Sequence, residues 1–163
     1  MLYRKGNRED VVQMQALALS SWTRFEPLLT EANWQLLYNN LSNPDTYMAL
    51  LEKGESWVCT VGDTLVGMAF WIPSGHPDAI YQTDWSQIRF VTVHPAYGGK
   101  GMGRKLTEWC IERARQNNEQ IIALHTSEMM ENARHIYESM GFAIVKELEP
   151  RLGKRYWLYI KFL

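Results

Sequence analysis

Cysteine and histidine are scarce in this chain. Its 163 residues include only two cysteines, Cys59 and Cys110, which fall on a predicted strand and a predicted helix. So few cysteines in a domain of this size are typical of buried thiols and not of a disulfide framework. The four histidines are scattered without the spacing of metal ligands, so we expect no metal. They are His76, His94, His125 and His135.

Long apolar runs and a strong net charge are missing as well. No stretch approaches the roughly 18 apolar residues of a membrane-spanning helix, and residues 1–6 lack the apolar centre of a signal peptide. The formal net charge of −1 argues against nucleic acid as the main partner. We therefore expect a cytoplasmic protein with no nucleic-acid or membrane partner. A homodimer is compatible with the sequence, which leaves the oligomeric state open.

Length and composition favour a single domain over residues 1–163. A chain of this size can bury about 70% of its unfolded surface around one core. Apolar residues make up 46% of the sequence and charged residues 21%, as in ordinary globular proteins. We find no repeat, linker or low-complexity tract that would divide the chain.

Hydrophobic periodicity and turn residues predict an α/β domain with a mixed sheet. Residues 22–29 are expected to be irregular, and 73–84 to form a long functional loop. In chain order we predict a strand at 2–5, a helix capped by Asn7 or Asp10, a helix from Thr30 that Asn43-Pro44 ends, strands at 57–61 and 64–72 around a Gly62-Asp63 hairpin, a strand at 87–93, a helix at 102–117, a strand at 121–125, a helix at 130–140 followed by Gly141, and strands at 142–147 and 156–162.

A glycine-rich turn joins the predicted strand 87–93 to the predicted helix 102–117. Its glycines allow positive φ angles and close approach to a ligand. Because the turn opens a helix, its amides and the helix dipole favour an anion such as phosphate or pyrophosphate. The glycines are Gly98, Gly99, Gly101 and Gly103, and the nearby cations are Lys100, Arg104 and Lys105.

Two common nucleotide-binding motifs do not fit this turn. A P-loop would need a lysine and a hydroxyl where Arg104 and Lys105 stand. The dinucleotide motif, begun at Gly99 and Gly101, would need its third glycine at Arg104. A nucleotide-binding protein that uses this turn is an alternative function.

Two segments resemble motifs of the GCN5-related N-acetyltransferase (GNAT) family. Residues 91–106 resemble its acetyl-CoA-binding motif, which is Gln or Arg, two residues, Gly, one residue, then Gly or Ala. Residues 133–142 resemble its helix that ends in Tyr-Glu, two residues and Gly-Phe. Two positions depart from the family pattern. Gly98 replaces the Gln or Arg, and Met130 replaces an Asn that contacts the pantetheine arm.

The resemblance implies a single-domain GNAT-like fold, with a mixed, mostly antiparallel sheet whose splayed central strands form the CoA cleft. It implies an acetyl-CoA-dependent N-acetyltransferase that transfers acetyl to a primary amine of a small molecule or peptide, by direct attack in a ternary complex. Tyr137 would protonate the departing thiolate. The implied cofactor-binding residues are Val91, Thr92, Val93, Gly98, Gly99, Lys100, Gly101, Met102, Gly103, Arg104, Met130, Ala133 and Tyr137.

The sequence offers several candidates for the general base. His125 occupies the strand position of a glutamate base found in some members of the family. An imidazole with an ordinary pKa near 6.5 would be mostly neutral at pH 7 and could accept the proton of the amine. Glu26, Asp84 and a water chain remain alternatives.

The acceptor amine is expected between residues 22–29 and the 73–84 loop, as the resemblance implies. Trp22 and Phe25 would supply an apolar wall, and Glu26 and Asp84 would hold a cationic amine. Because Gly98 and Met130 depart from the motif, a CoA-binding sensor without turnover is the alternative function.

Overall fold

The computed structural model describes all residues from 1 to 163. The chain forms seven strands and five α-helices. In order they are β1 Leu2–Lys5, α1 Val11–Trp22, α2 Glu31–Ser42, α3 Pro44–Lys53, β2 Glu55–Val61, β3 Thr64–Ile72, β4 Ser86–Val93, α4 Met102–Gln116, β5 Ile121–Ser127, α5 Glu131–Ser139, β6 Ala143–Arg151 and β7 Lys154–Phe162.

The strands form one sheet in the order β1-β2-β3-β4-β5-β7-β6. Every neighbouring pair is antiparallel except β4 and β5, which are parallel. The predicted mixed, mostly antiparallel sheet flanked by helices is confirmed.

Helices cover both faces of the sheet, and each face has a main core. On one face α4 and α5 pack through Leu106, Cys110 and Tyr137. On the other face α1, α2 and α3 pack through Met14, Leu41 and other apolar side chains. Each large apolar side chain that is fully buried contributes about 1.5–3 kcal/mol to folding. The sheet is therefore held rigidly between two layers.

The helix α3 was missed by the sequence prediction. Asn43-Pro44 does end α2, as predicted, but the same two residues begin α3. The Asn43 side chain accepts a hydrogen bond from the Asp45 amide, and Pro44 occupies the first turn, where its missing N–H is not needed. Tyr47 and Leu50 then face the core.

Residues 22–29 were predicted to be irregular, which is wrong. Thr23–Leu28 forms a 3₁₀ helix that continues α1 without a break. Phe25 is buried there, with its ring 5.4 Å from the ring of Trp22. A short 3₁₀ segment has too few turns to produce the periodicity by which longer helices are predicted.

The two cysteines are free and buried, as predicted. None of the helices combines the length and apolar character that a membrane crossing requires.

Candidate active site

The two parallel strands at the centre of the sheet separate after a short contact. β4 and β5 pair only at Ser86 with Ile122 and at Gln87 with Ala123. Beyond them β4 bulges against β3, and Phe90 has a left-handed φ of 53°. A bulge bends and twists a strand, so it turns the second half of β4 away from β5. The backbone edge of β4 from Ile88 onward consequently has no partner strand on this side.

A cavity of about 400 Å³ fills the gap between the strands. It passes from one face of the sheet to the other, because its walls include side chains from both cores. The residues of β4 and β5 that line it are 88–92 and 124–127, and those from elsewhere in the chain are Trp22, Leu36, Leu37, Asn40, Leu41, Met130, Tyr137, Arg151, Leu152 and Tyr156. Two molecules could therefore approach each other through the sheet from opposite sides.

The glycine turn opens the helix α4 as predicted. Gly101 is the N-cap residue with a left-handed φ of 78°, and it has no side chain to accept from the amides of the first turn. Gly99 is also left-handed, with φ of 74°. A Cβ at either position would meet no atom within 4 Å, so the outer side of the turn is open. The turn can receive an anion at its amides.

The cations near the turn have different surroundings. The Lys100 Nζ lies 5.2 Å from the centre of the Tyr97 ring, beside the turn. The Arg104 guanidinium donates to the Ser139 hydroxyl at the end of α5, at 2.6 Å. The Lys105 Nζ instead lies over the Tyr3 ring of β1. Lys100 therefore lies beside the turn, and Arg104 is held between the start of α4 and the end of α5. Lys105 is held at β1 instead.

Gly98 and Met130, which depart from the family motif, lie in different surroundings. Gly98 has φ of −65° and ψ of 155°, which any residue can adopt, and a Cβ there would approach only the Pro95 carbonyl oxygen, at 3.5 Å. The fold would thus accept a side chain at position 98. Met130 lines the cavity immediately before α5, whereas Asn132, the asparagine nearest to it in the sequence, is exposed.

Tyr137 is a buried residue of α5 that also lines the cavity. The helix ends with the hydrogen bonds from the Phe142 amide to the Tyr137 carbonyl and from the Gly141 amide to the Glu138 carbonyl. This is the Schellman arrangement, and Gly141 at φ of 94° is its left-handed residue. Burial is the main cause of a raised pKa of Tyr137, so its hydroxyl keeps its proton at neutral pH.

His125 lines the cavity from β5, and its Nδ1 atom lies 2.5 Å from the Tyr81 hydroxyl oxygen. Burial, and after it the charges of Arg89 and Arg151, lower the pKa of the imidazole to about 3. The ordinary pKa that suggested His125 as a base is therefore not found here. The imidazole is neutral at pH 7, but it is a weak base.

The hydrogen bond to Tyr81 also bears on how His125 could act. Burial raises the pKa of Tyr81, so its phenol keeps its proton. If the phenol donates to Nδ1, the ring proton lies on Nε2 and the imidazole can only donate through that atom. The predicted role as a base requires the other tautomer, in which Nδ1–H donates to Tyr81. That role stays a prediction.

The predicted cofactor residues fall in three places. Val91, Thr92, Met130 and Tyr137 line the cavity, and 98–104 form the turn and the start of α4. Ala133 packs against the core beneath α5. The Val93 carbonyl accepts a hydrogen bond from the Ser21 hydroxyl at 3.2 Å, and Val93 does not line the cavity.

Of the predicted acceptor residues, only Trp22 lines the cavity. Phe25 is buried beside it, and Glu26 and Asp84 are exposed outside the cavity. The walls come instead from α2 and from the turn between β6 and β7, which the sequence did not indicate. The apolar spacing of α2, where Leu37 and Leu41 recur, was visible but indicates core and cavity wall equally well.

Comparison with known proteins identifies the family. The family model described as "Acetyltransferase (GNAT) family" matches residues 13–142. The L-amino acid N-acyltransferase MnaT of Escherichia coli is 31% identical over 75 residues, which are 45% of this chain and 43% of that protein. The L-methionine sulfoximine/L-methionine sulfone acetyltransferase of Salmonella typhimurium matches with the same identity and coverage. The matched part thus spans less than half the length of either relative.

Solved structures share the fold over the whole chain. The PaiA N-acetyltransferase from Thermoplasma acidophilum, solved in complex with coenzyme A, has a TM-score of 0.79 at 12% identity, covering 99% of this chain and 98% of that one. The ribosomal-protein-alanine N-acetyltransferase from Brucella melitensis has a TM-score of 0.75 at 19% identity and covers 100% of both chains. With the family match over residues 13–142, the chain belongs to the GNAT family of acetyltransferases.

Proposed function

We propose that this protein transfers the acetyl group of acetyl-CoA to the primary amine of a small molecule or peptide. The observation that carries the proposal is the cavity between β4 and β5, which passes through the sheet and is lined by Tyr137. Acetyl-CoA would bind from the side of α4 and α5, and the amine would approach from the side of α2.

The glycine turn would hold the pyrophosphate of acetyl-CoA. The amides of the first turn of α4 have no side-chain cap, and the left-handed Gly99 and Gly101 leave the outer surface open. Lys100 and Arg104 would add charge at the same place. Along the cavity, the unpaired edge of β4 at Val91 and Thr92 could donate and accept hydrogen bonds with the pantetheine arm and the thioester.

Transfer would occur by direct attack in a ternary complex. The neutral amine nitrogen forms a bond to the thioester carbon, the carbon–sulfur bond breaks, and the sulfur leaves as a thiolate. Tyr137, with its raised pKa, holds a proton at neutral pH and would give it to the sulfur as negative charge develops. The proton lost by the amine would pass to water or to His125, in the tautomer whose Nδ1–H donates to Tyr81.

Release of CoA thiol in the presence of an amine panel tests the proposal. Thiol release that depends on both acetyl-CoA and an amine, with formation of the N-acetylated product, is the expected result. If acetyl-CoA binds but no amine is acetylated, the protein is instead a CoA-binding sensor, which the substitutions at Gly98 and Met130 would then explain. If acetyl-CoA does not bind, the proposal is wrong.

A further inference from the structure

Two arginines lie at the acceptor side of the cavity. Arg89 comes from β4 and Arg151 from the end of β6. The Arg89 guanidinium carbon lies 5.8 Å from the centre of the Tyr81 ring, and that of Arg151 lies 5.9 Å from the centre of the Tyr156 ring. Both rings are neighbours of His125, at 5.7 and 6.1 Å. The two cations therefore approach the same part of the cavity from two elements.

Neither arginine has an acidic partner within ion-pairing distance. The six ion pairs of the protein all involve other basic residues. Arg89 makes one side-chain hydrogen bond, a long contact of 3.4 Å to the Gln87 side chain. Arginines that line a cavity without a carboxylate partner are free to bind a ligand anion, which their planar guanidinium groups can hold through two hydrogen bonds.

One carboxylate lies near this pair, but it is already engaged. Asp78 accepts hydrogen bonds from the Ile80 and Tyr81 amides, at 2.7 and 2.9 Å. Burial alone would raise its pKa, but these amides and the charge of Arg89 lower it. Asp78 does not line the main cavity. Inside the cavity, the charged groups beside the neutral His125 are thus both positive.

The turn between β6 and β7 fixes the position of Arg151. Leu152 and Gly153 have left-handed φ angles of 54° and 71°, as in the tight turns that close β-hairpins. A Cβ on Gly153 would lie 3.2 Å from the side-chain nitrogen Nδ2 of Asn33 in α2, so the turn reaches across to that helix. Leu152 also packs against the core beneath α2. Arg151 is therefore held at the edge of the cavity although it is exposed.

We infer that Arg89 and Arg151 bind the carboxylate of the acceptor, and that the acceptor is a free amino acid. This inference rests on the proposed function and names its substrate class. The cavity of about 400 Å³ suits a small molecule, and Leu37, Leu41 and Trp22 offer an apolar wall for its side chain. The expectation that Glu26 and Asp84 hold a cationic amine is replaced by this one.

The test compares leucine with leucinol, which keeps the amine and the side chain but lacks the carboxylate. Arg151→Gln removes one charge at an exposed position where the fold should tolerate it. We expect kcat/KM for leucine to fall about 10–100-fold, mainly through KM, as expected for a lost charge-assisted hydrogen bond. The value for leucinol should change little.

The matched control is Arg155→Gln. Arg155 is an exposed arginine of the same hairpin that pairs with Glu147 at 2.6 Å and does not line the cavity. This variant should leave the leucine reaction unchanged. Arg89→Gln should reproduce the effect of Arg151→Gln, with a thermal melt to check that loss of its contact with Tyr81 has not unfolded the protein.

Equal kcat/KM for leucine and leucinol in the wild type, or an equal loss for both in Arg151→Gln, would overturn the inference while leaving the acetyltransferase intact. Preference for a diamine over leucine would overturn it too. Calorimetric binding of leucine to the CoA-loaded protein provides a readout without turnover. If no amine is acetylated, Arg151-dependent leucine binding still supports the carboxylate site, and its absence contradicts it.

Discussion

Removing the hydroxyl group of Tyr137 distinguishes a catalytic role of this residue from a packing role. Its ring lies 5.9 Å from the Phe142 ring, and Tyr137→Phe would keep that contact. Because the phenol should protonate the leaving thiolate, we expect turnover with a good amine to fall by roughly 10²–10⁴. Binding of acetyl-CoA and the melting temperature should change little. Steady-state kinetics and calorimetry check this, and full turnover in the variant would make solvent the proton donor.

A substitution at Gly98 should strengthen the binding of CoA. The backbone at Gly98 is extended, and a Cβ there would make only an ordinary contact with the Pro95 carbonyl oxygen, so Gly98→Arg should fit without strain. The substitution removes flexibility from the turn and adds a cation beside the proposed pyrophosphate site. We expect the Kd for CoA to fall about 3–10-fold at low salt, and less at high salt.

The control for this variant is Gly99→Arg. It adds the same charge one residue away, but at a left-handed φ of 74°, which a side chain adopts only with strain. It should not improve CoA binding. Calorimetry at two salt concentrations makes the comparison, and equal affinities for wild type and Gly98→Arg would show that position 98 does not face the cofactor.

At the scale of secondary-structure elements, the start of α4 is the part that can be tested most directly. Gly101→Glu places an acidic side chain on the residue whose neighbouring amides should face the pyrophosphate. An acid at a helix N-terminus can offset part of the strain at φ of 78°, so stability should change by only about 1 kcal/mol. CoA affinity should nevertheless fall at least about tenfold, because the acid competes for the same amides.

Two lysines provide the control for charge near α4. Lys100→Ala should weaken CoA binding slightly and in a salt-dependent way, since Lys100 lies beside the turn. Lys105→Ala should leave it unchanged, because the Lys105 ammonium lies 4.2 Å from the Tyr3 ring centre, over β1. Calorimetry at fixed salt compares the three variants. An unchanged CoA affinity in Gly101→Glu would rule out the proposed pyrophosphate site.

The sequence predicted those elements that carry a local signal. The β2–β3 hairpin follows from Gly62, which has φ of 59°, and the end of α5 follows from Gly141. The helix α3 was missed because Asn43-Pro44 indicates the end of one helix and the beginning of another equally well. The spacing of Tyr47 and Leu50 was the signal that could have separated the two interpretations.

At the scale of the whole molecule, the site combines residues whose roles depend on distant neighbours. The turn and Tyr137 could be predicted because each lies in a contiguous motif. Arg89 and Arg151 could not, because only the folded sheet and the β6–β7 turn bring them to His125. The same two charges help lower the pKa of His125, which no local pattern encodes. Electrostatics that arise from packing are therefore where the sequence prediction was weakest.

The lowered pKa of His125 makes the free energy of unfolding depend on pH. The unfolded imidazole titrates near 6.5 and the folded one near 3, so the unfolded state binds more protons between these values. The free energy of unfolding is therefore highest, as far as His125 is concerned, above pH 6.5, and it decreases as the pH falls toward 3. The slope attributable to His125 should approach about 1.4 kcal/mol per pH unit below pH 6.

The carboxylates with lowered pKa values lose their stabilising effect in a more acidic range. All have ordinary pKa values near 4, so their contributions disappear mainly below about pH 5. They are Asp10, which pairs with Arg4, Glu55, which pairs with Lys5 and Arg113, Asp78, and Glu147, which pairs with Arg155. The range from pH 6.5 to 5 therefore isolates His125. His125→Gln should flatten the dependence of the unfolding free energy on pH in this range, measured by urea denaturation. An unchanged slope in the variant would mean that His125 is not the group responsible, and that the two arginines do not act on it as the structure indicates.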